Sequence, residues 1–158
     1  MGFSRIHAPD DVTSREETLY EISFEVLEAV SHLVETVINS DLPHPQRMRA
    51  IIGCFVHLSF NDTAVMSMYA EWNQQAAPAH PRKMAQLERR ICDALAKFYR
   101  EGVTKGHFRD LDPAVAASSI LGMCLGMTSW YRPDGRFTEQ RIAEQFHLML
   151  SQGFQLTK

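Results

Sequence analysis

Cysteine is scarce and odd in number, with three residues among 158 and no Cys-x-x-Cys pair, so there is no disulfide framework to read. Cys54, Cys92 and Cys124 are widely spaced within apolar helical stretches, which suits reduced, buried thiols. No apolar run approaches the ~20 residues needed to span a bilayer, and the opening residues lack a signal-peptide core. A cytoplasmic protein with no membrane partner is expected. No alternating pattern is long enough for strands to compete with helices, and no glycine-rich loop follows a strand to cradle phosphate. No Ser/His/Asp or Cys/His constellation is recognisable either. The expectation is therefore a non-enzyme without a cofactor.

Charge is modest, with 16 basic and 19 acidic residues and a formal balance of −3. Glu17, Glu21, Glu25, Glu28 and Glu35 fall at helical spacing along one side of the first long segment, a face that repels phosphate and reads as solvated. One metal-like spacing occurs, Glu144-Gln-Phe-His147, but a dinuclear site needs a second such pair on a facing helix. No metal site is expected from a single pair.

With 45% hydrophobic residues, the chain can bury an ordinary core, and one domain is expected over residues 13–158. Residues 1–12, with Gly2 and Pro9, read as an irregular segment too short to build helices with a core of their own.

Helix follows helix along the domain. Ser14 and Glu17 form a capping box, after which Leu19, Ile22, Val26, Val30, Leu33 and Val37 keep a 3.6-residue period to about Asn39. Phe24, Leu27, Val34 and Ile38 widen its apolar side, predicting a central helix with neighbours on more than one flank. Pro45 suits the first turn of a second helix bearing Met48, Ile51, Ile52, Phe55 and Leu58. A short segment, Val65 to Gln74, carries Met66, Met68, Tyr69 and Trp72. From Pro81 a fourth helix places Met84, Leu87, Ile91, Leu95 and Phe98 on one ladder, with Gly102 and Gly106 as candidate terminators.

The last third is the most sharply punctuated. Asp112-Pro113 reads as N-cap and first helical residue. Beyond it Ala114, Ser118, Gly122 and Gly126 recur every fourth residue, a face small enough for another helix to approach backbone to backbone. That other helix is a neighbour in the chain or the same helix of a second subunit. Arg132-Pro-Asp-Gly-Arg136 has tight-turn chemistry, Phe137 and Thr138 read as a staple to Ile142 and an N-cap, and Gly153 as a C-terminal cap. The sum is all-α: an antiparallel bundle of about six helices whose last two form a hairpin.

Three of these segments together resemble the C-terminal half of TetR-type (tetracycline-repressor-like) transcriptional regulators. They are Gly106-His-Phe-Arg-Asp-Leu-Asp-Pro113, the small-residue helix ending Trp130-Tyr-Arg-Pro-Asp-Gly135, and the last helix with its apolar triplet before Gly153. Ser14-Arg-Glu-Glu-Thr-Leu-Tyr-Glu-Ile22 is similar to the run where that family's DNA-binding head hands over to its first regulatory helix.

The resemblance implies a ligand-sensing, homodimeric domain. The dimer interface it implies comprises Ala114, Ser118, Leu121, Gly122, Leu125 and Gly126 with Ile142, Phe146, Met149 and Leu150. It also implies a cavity walled by Met66, Tyr69 and Trp72 and faced by Phe24, Leu27, Phe55, Leu58, Ile91, Leu95 and Met127. Its effector would be a hydrophobic or acyl-CoA-like small molecule, with Arg89, Arg90 and Lys97 as groups able to meet an anionic head. Only a dozen residues precede the matching run, so DNA contact is expected only through a helix-turn-helix domain not present in this chain. A stand-alone protein that heterodimerises with full-length regulators and titrates them is the other reading.

Overall fold

Helix punctuation decides where the chain turns. The computed structural model describes residues 15–61, 81–132 and 134–152. They form α1 (Arg15–Ile38), α2 (His44–Asn61), α3 (Pro81–Thr104), α4 (Pro113–Leu125), the single turn α5 (Met127–Trp130) and α6 (Glu139–Gln152), with no strand among them. None of these helices is long and apolar enough to cross a membrane. The capping box at Ser14, the segment Val65–Gln74, the cap at Gly153 and the opening segment 1–12 lie outside the described residues.

Local chemistry accounts for the ends. Asp112 accepts from the N–H groups of Ala114 (2.9 Å) and Val115 (3.1 Å), filling two donors that α4 would otherwise leave orphaned. Thr138 caps α6 through the Arg141 N–H at 3.3 Å. The turn before α6 closes with the Gly135 N–H on the Arg132 carbonyl, 2.9 Å.

Gly106, not Gly102, terminates α3. At φ +73° Gly106 is left-handed, and the His107 N–H reaches the Gly102 carbonyl (2.8 Å) while the Gly106 N–H reaches Val103 (2.9 Å), a Schellman motif. Gly102 lies inside the helix for a different reason. A Cβ there would stand 2.1 Å from the Phe108 ring, which folds back onto the helix surface.

The expected continuous helix from Pro113 to Trp130 divides at Gly126, where both the N–H and the Oγ of Ser129 turn back to the Gly126 carbonyl (3.2 and 2.7 Å). Trp130 then meets Phe137 and Phe146 edge-on, each at 6.3 Å.

Packing follows the apolar faces. The α3 ladder is buried throughout: Met84, Leu87, Ile91, Leu95 and Phe98. Against α3 pack α1 and α4, while α2 touches α1, α4 and α5 and carries α6 on a further side. In α1 the buried stripe runs through Ser23, Leu27, Val30, Ser31 and Val34, whereas Leu33 of the predicted ladder is 40% exposed. Leu33 lies instead on the rim of an open groove with Ala50, Gly53 and Leu58 of α2. Of the hairpin arms, α4 lies mainly on α3 and α6 mainly on α2, with His57 Nδ1 and Glu139 Oε1 joining α2 to the start of α6 at 2.8 Å.

Three helix ends meet around His44. Its ring stacks on Phe98 (5.3 Å, 2° between planes) and on His107 (5.4 Å). Arg47 donates to His44 Nδ1 at 2.9 Å and to the last carbonyl of α1, that of Ile38. Nε2 is buried without a partner. Burial first, then Arg47, Lys105 and His107, hold the imidazole below its ordinary range against the opposing pull of Glu101. The native state thus keeps His44 neutral, and its contribution to stability is present above the unfolded value of 6.5 and lost as pH falls below it. The melting temperature should drop between pH ~7.5 and ~5.5, and His44→Phe, which retains the stack, should flatten that slope. His147 is shifted downward in the same sense, so the slope shrinks without vanishing. An unaltered slope in the variant would place the titration elsewhere.

Candidate functional site

Two concave sites among the described residues differ in their chemistry. The first, of about 220 Å³, is ringed by α1, α2, α3 and α4. Val26, Leu27 and Val30 come from α1, Phe55 from α2, Glu88, Ile91 and Cys92 from α3, and Leu121 and Leu125 from α4. Glu88 is the one charged side chain in this lining. Burial, then Glu88 and Asp93, push the Cys92 thiol up, so it stays protonated and acts as an apolar wall. Cys124 is fully buried with its pKa raised to about 12, a packing residue like the partly buried Cys54.

Of the residues predicted from sequence to line a cavity, Leu27, Phe55 and Ile91 come together here. Phe24 is half-buried and stacks on Tyr20 at 6.1 Å. Leu58 faces a separate, open groove between α1 and α2 with Leu33, Gly53 and Cys54. Leu95 and Met127 are fully buried in the core. Met66, Tyr69 and Trp72 lie outside the described residues. Arg90 forms a bidentate pair with Glu35 (2.7 and 2.9 Å), tying α3 to α1, and Arg89 and Lys97 are solvent-facing. None of the three lines this cavity.

The residues read as an interface separate into distinct groups. Ala114, Ser118 and Gly122 are exposed and Gly126 half-buried, and a Cβ added at Gly122 meets nothing within 4 Å. The face of α4 that packs inside the subunit is another one: Ala116, Ala117, Ile120 and Cys124. Leu121 and Leu125 turn inward to the cavity. Ile142 and Phe146 are buried within the subunit, and Met149 and Leu150 are half-buried. Val115 on α4 is 63% exposed and Leu148 on α6 is 42% exposed, apolar positions that sequence reasoning did not single out.

The second site, of about 240 Å³, opens between the start of α4 and the end of α6. Met48, Phe108 and Ile120 line it together with His107, Arg109 and His147. Glu144, the other half of the Glu-x-x-His spacing, accepts from Gln140 at 3.0 Å.

Comparison with known proteins places this architecture. Residues 41–154 match the model of the tetracyclin repressor-like C-terminal domain. No curated protein sequence matches the chain. Among solved structures, the TetR family regulator PfmR from Thermus thermophilus is similar with a TM-score of 0.81 and 25% identity, over 90% of this chain and 78% of that one. AibR, solved in complex with isovaleryl coenzyme A and operator DNA, has a TM-score of 0.71 and 25% identity, over 90% and 78%. A TetR/AcrR regulator from Thermobifida fusca shares the fold at a TM-score of 0.78 and 22% identity, over 92% and 77%. With the model covering most of its length, the chain belongs to the tetracyclin repressor-like C-terminal domain family.

Proposed function

We propose that this chain is the effector-binding and dimerisation part of a TetR-type transcriptional regulator, and that its effector is a mainly hydrophobic small molecule held between α1, α2, α3 and α4. The observation that carries the proposal is the apolar concavity lined by those four helices in a chain of this family. The isovaleryl coenzyme A bound by AibR makes short acyl-CoA compounds the first effectors to test. The single charge on the lining, Glu88, favours an apolar group over an anionic one inside the cavity, so a coenzyme head would remain outside. No catalytic step is assigned.

Effector entry works by population shift: the ligand must prefer one arrangement of α1 against α3 and α4 over another, and by that difference bias whatever α1 is joined to. DNA reading is not proposed for residues 15–61 or 81–152, which form only the helices described. A regulator of this kind operates in the cytoplasm. The same proposal makes the protein a homodimer through α4 and α6, supported by the exposed Ala114, Ser118 and Gly122 face, which lies apart from the face of α4 packed inside the subunit.

A thermal-shift titration with isovaleryl-CoA and longer acyl-CoA compounds tests the reading. At one hundred times Kd a ligand stabilises by about 2.7 kcal/mol, a rise of roughly 5–10 °C for a domain of this size. Ile91→Trp, which fills the cavity, should abolish the rise, and Leu121→Phe on the half-buried wall serves if the first variant folds poorly. A full shift surviving both substitutions would remove the effector from this cavity.

A further inference from the structure

The junction of three helix ends around His44 takes no part in effector binding as proposed, and its hydrogen bonds lead from one helix to the next. Arg47 directs one terminal nitrogen to His44 Nδ1, at 2.9 Å, and the other to the Ile38 carbonyl, the last of α1. The first bond fixes the tautomer. A guanidinium has only donors, so Nδ1 accepts and the ring proton sits on Nε2. His44 Nε2 and Arg47 Nε are both buried without a partner, so no bond on those atoms compensates for loss of the one between the two side chains.

A proton on Nδ1 would set a donor against a donor and place two cations 2.9 Å apart. The terminal nitrogens of a guanidinium lie in one rigid plane, so an Arg47 that turns away from the imidazolium also leaves the Ile38 carbonyl. The stacks on Phe98 and His107, at 5.3 and 5.4 Å, keep the imidazole in place beside it. The charged groups facing that ring are Arg47 on α2, Glu101 on α3, and Lys105 and His107 just beyond α3, while α1 presents the Ile38 carbonyl. Arg47, Lys105 and His107 oppose a positive ring, and Glu101 favours it.

We infer that His44 and Arg47 form a proton-operated latch on the last turn of α1. With the imidazole neutral, Arg47 bridges α2 to the Ile38 carbonyl; with a proton on Nδ1, the bridge opens and the end of α1 is freed from it. The same helix supplies Val26, Leu27 and Val30 to the cavity and is tied to α3 by Glu35 and Arg90. Acidification therefore acts on the helix that bears the cavity wall, an input separate from effector occupancy. That consequence rests on the effector reading, whereas the latch itself does not.

An NMR titration of the full chain from pH ~7.5 to ~5 tests the latch without any ligand. The His44 imidazole nitrogens and the backbone amides of Ile38, Asn39 and Ser40 should titrate together, with one midpoint below 6.5. The helical signal in circular dichroism should stay constant over that range, marking a local opening. His44→Phe, which keeps a stacked ring without its nitrogens, should abolish the amide titration. Arg47→Met, which removes the charge and the donors, should raise the His44 midpoint and leave the three amides still, and it serves if the first variant folds poorly. Amides that do not move while His44 titrates would show Arg47 holding Ile38 whatever the charge on the ring, and would overturn the inference. So would an unchanged amide titration in either variant, a helical signal lost in step with the amides, or an imidazole that stays neutral down to pH ~5.

Discussion

Gly122→Leu is expected to convert a dimer into a monomer that remains folded. Within the subunit a side chain at Gly122 has open space around it, so the substitution should leave the intrachain core untouched. Across the proposed two-fold interface the position would occur twice, and an isobutyl group would hold apart helices that meet through the exposed Ala114, Ser118 and Gly122 face. Overpacking costs about 1–3 kcal/mol at each copy, so the dimer Kd should rise about thirtyfold or more. Size-exclusion chromatography with light scattering reads the mass, and circular dichroism the fold. A persistent dimer would move the interface away from this face of α4. A collapse of the helical signal would mean that Gly122 packs inside the subunit after all.

Phe98→Ala should be the most destabilising of the substitutions considered. Phe98 is 1% exposed and is the ring on which the His44 junction is assembled. It stacks on His44, meets Phe108 edge-on at 5.7 Å, and lies beneath the Arg47 guanidinium at 5.5 Å. Removing a buried phenyl ring costs about 3–5 kcal/mol, a large share of the roughly 5–15 kcal/mol that holds a domain together. The cost should exceed that of a lone core residue, since Arg47 would lose its cation–π contact and His44 its stacking partner. Chemical denaturation measures the change. Leu33→Ala is the control, because that leucine is 40% exposed and should cost well under 1 kcal/mol. A loss below about 1 kcal/mol for Phe98→Ala would show that the junction repacks without its ring.

Much of the architecture is legible in the chain's local chemistry. The α3 ladder from Met84 to Phe98 is buried as the periodicity predicts, and α2 buries Met48, Ile51, Ile52 and Phe55. Asp112 caps α4 as the Asp-Pro pair predicts. These readings succeed where a single face is strongly apolar or a cap has one chemistry.

They are weaker where several faces compete. In α1 leucines and valines occur on more than one side, so periodicity alone could not choose the stripe through Ser23 and Ser31 over the one through Leu33. In α4 Leu121 and Leu125 sit beside the small-residue ladder, and only the position of α3 and α1 turns them inward to the cavity. Arg90 reads as a candidate for an anionic ligand from sequence, but Glu35 holds it in the fold.

The amino-acid sequence by itself determined that this protein is helical, where most helices begin and end, and which family it resembles. Those properties arise within one or two turns of chain, from capping oxygens, glycines and proline, and from apolar spacing. Only the tertiary structure decided which helix covers which face, and therefore where the cavities lie and which charges surround them. Those facts depend on partners far apart in the chain, such as Glu35 with Arg90 at 55 positions and His57 with Glu139 at 82, and local spacing carries no information about such pairs.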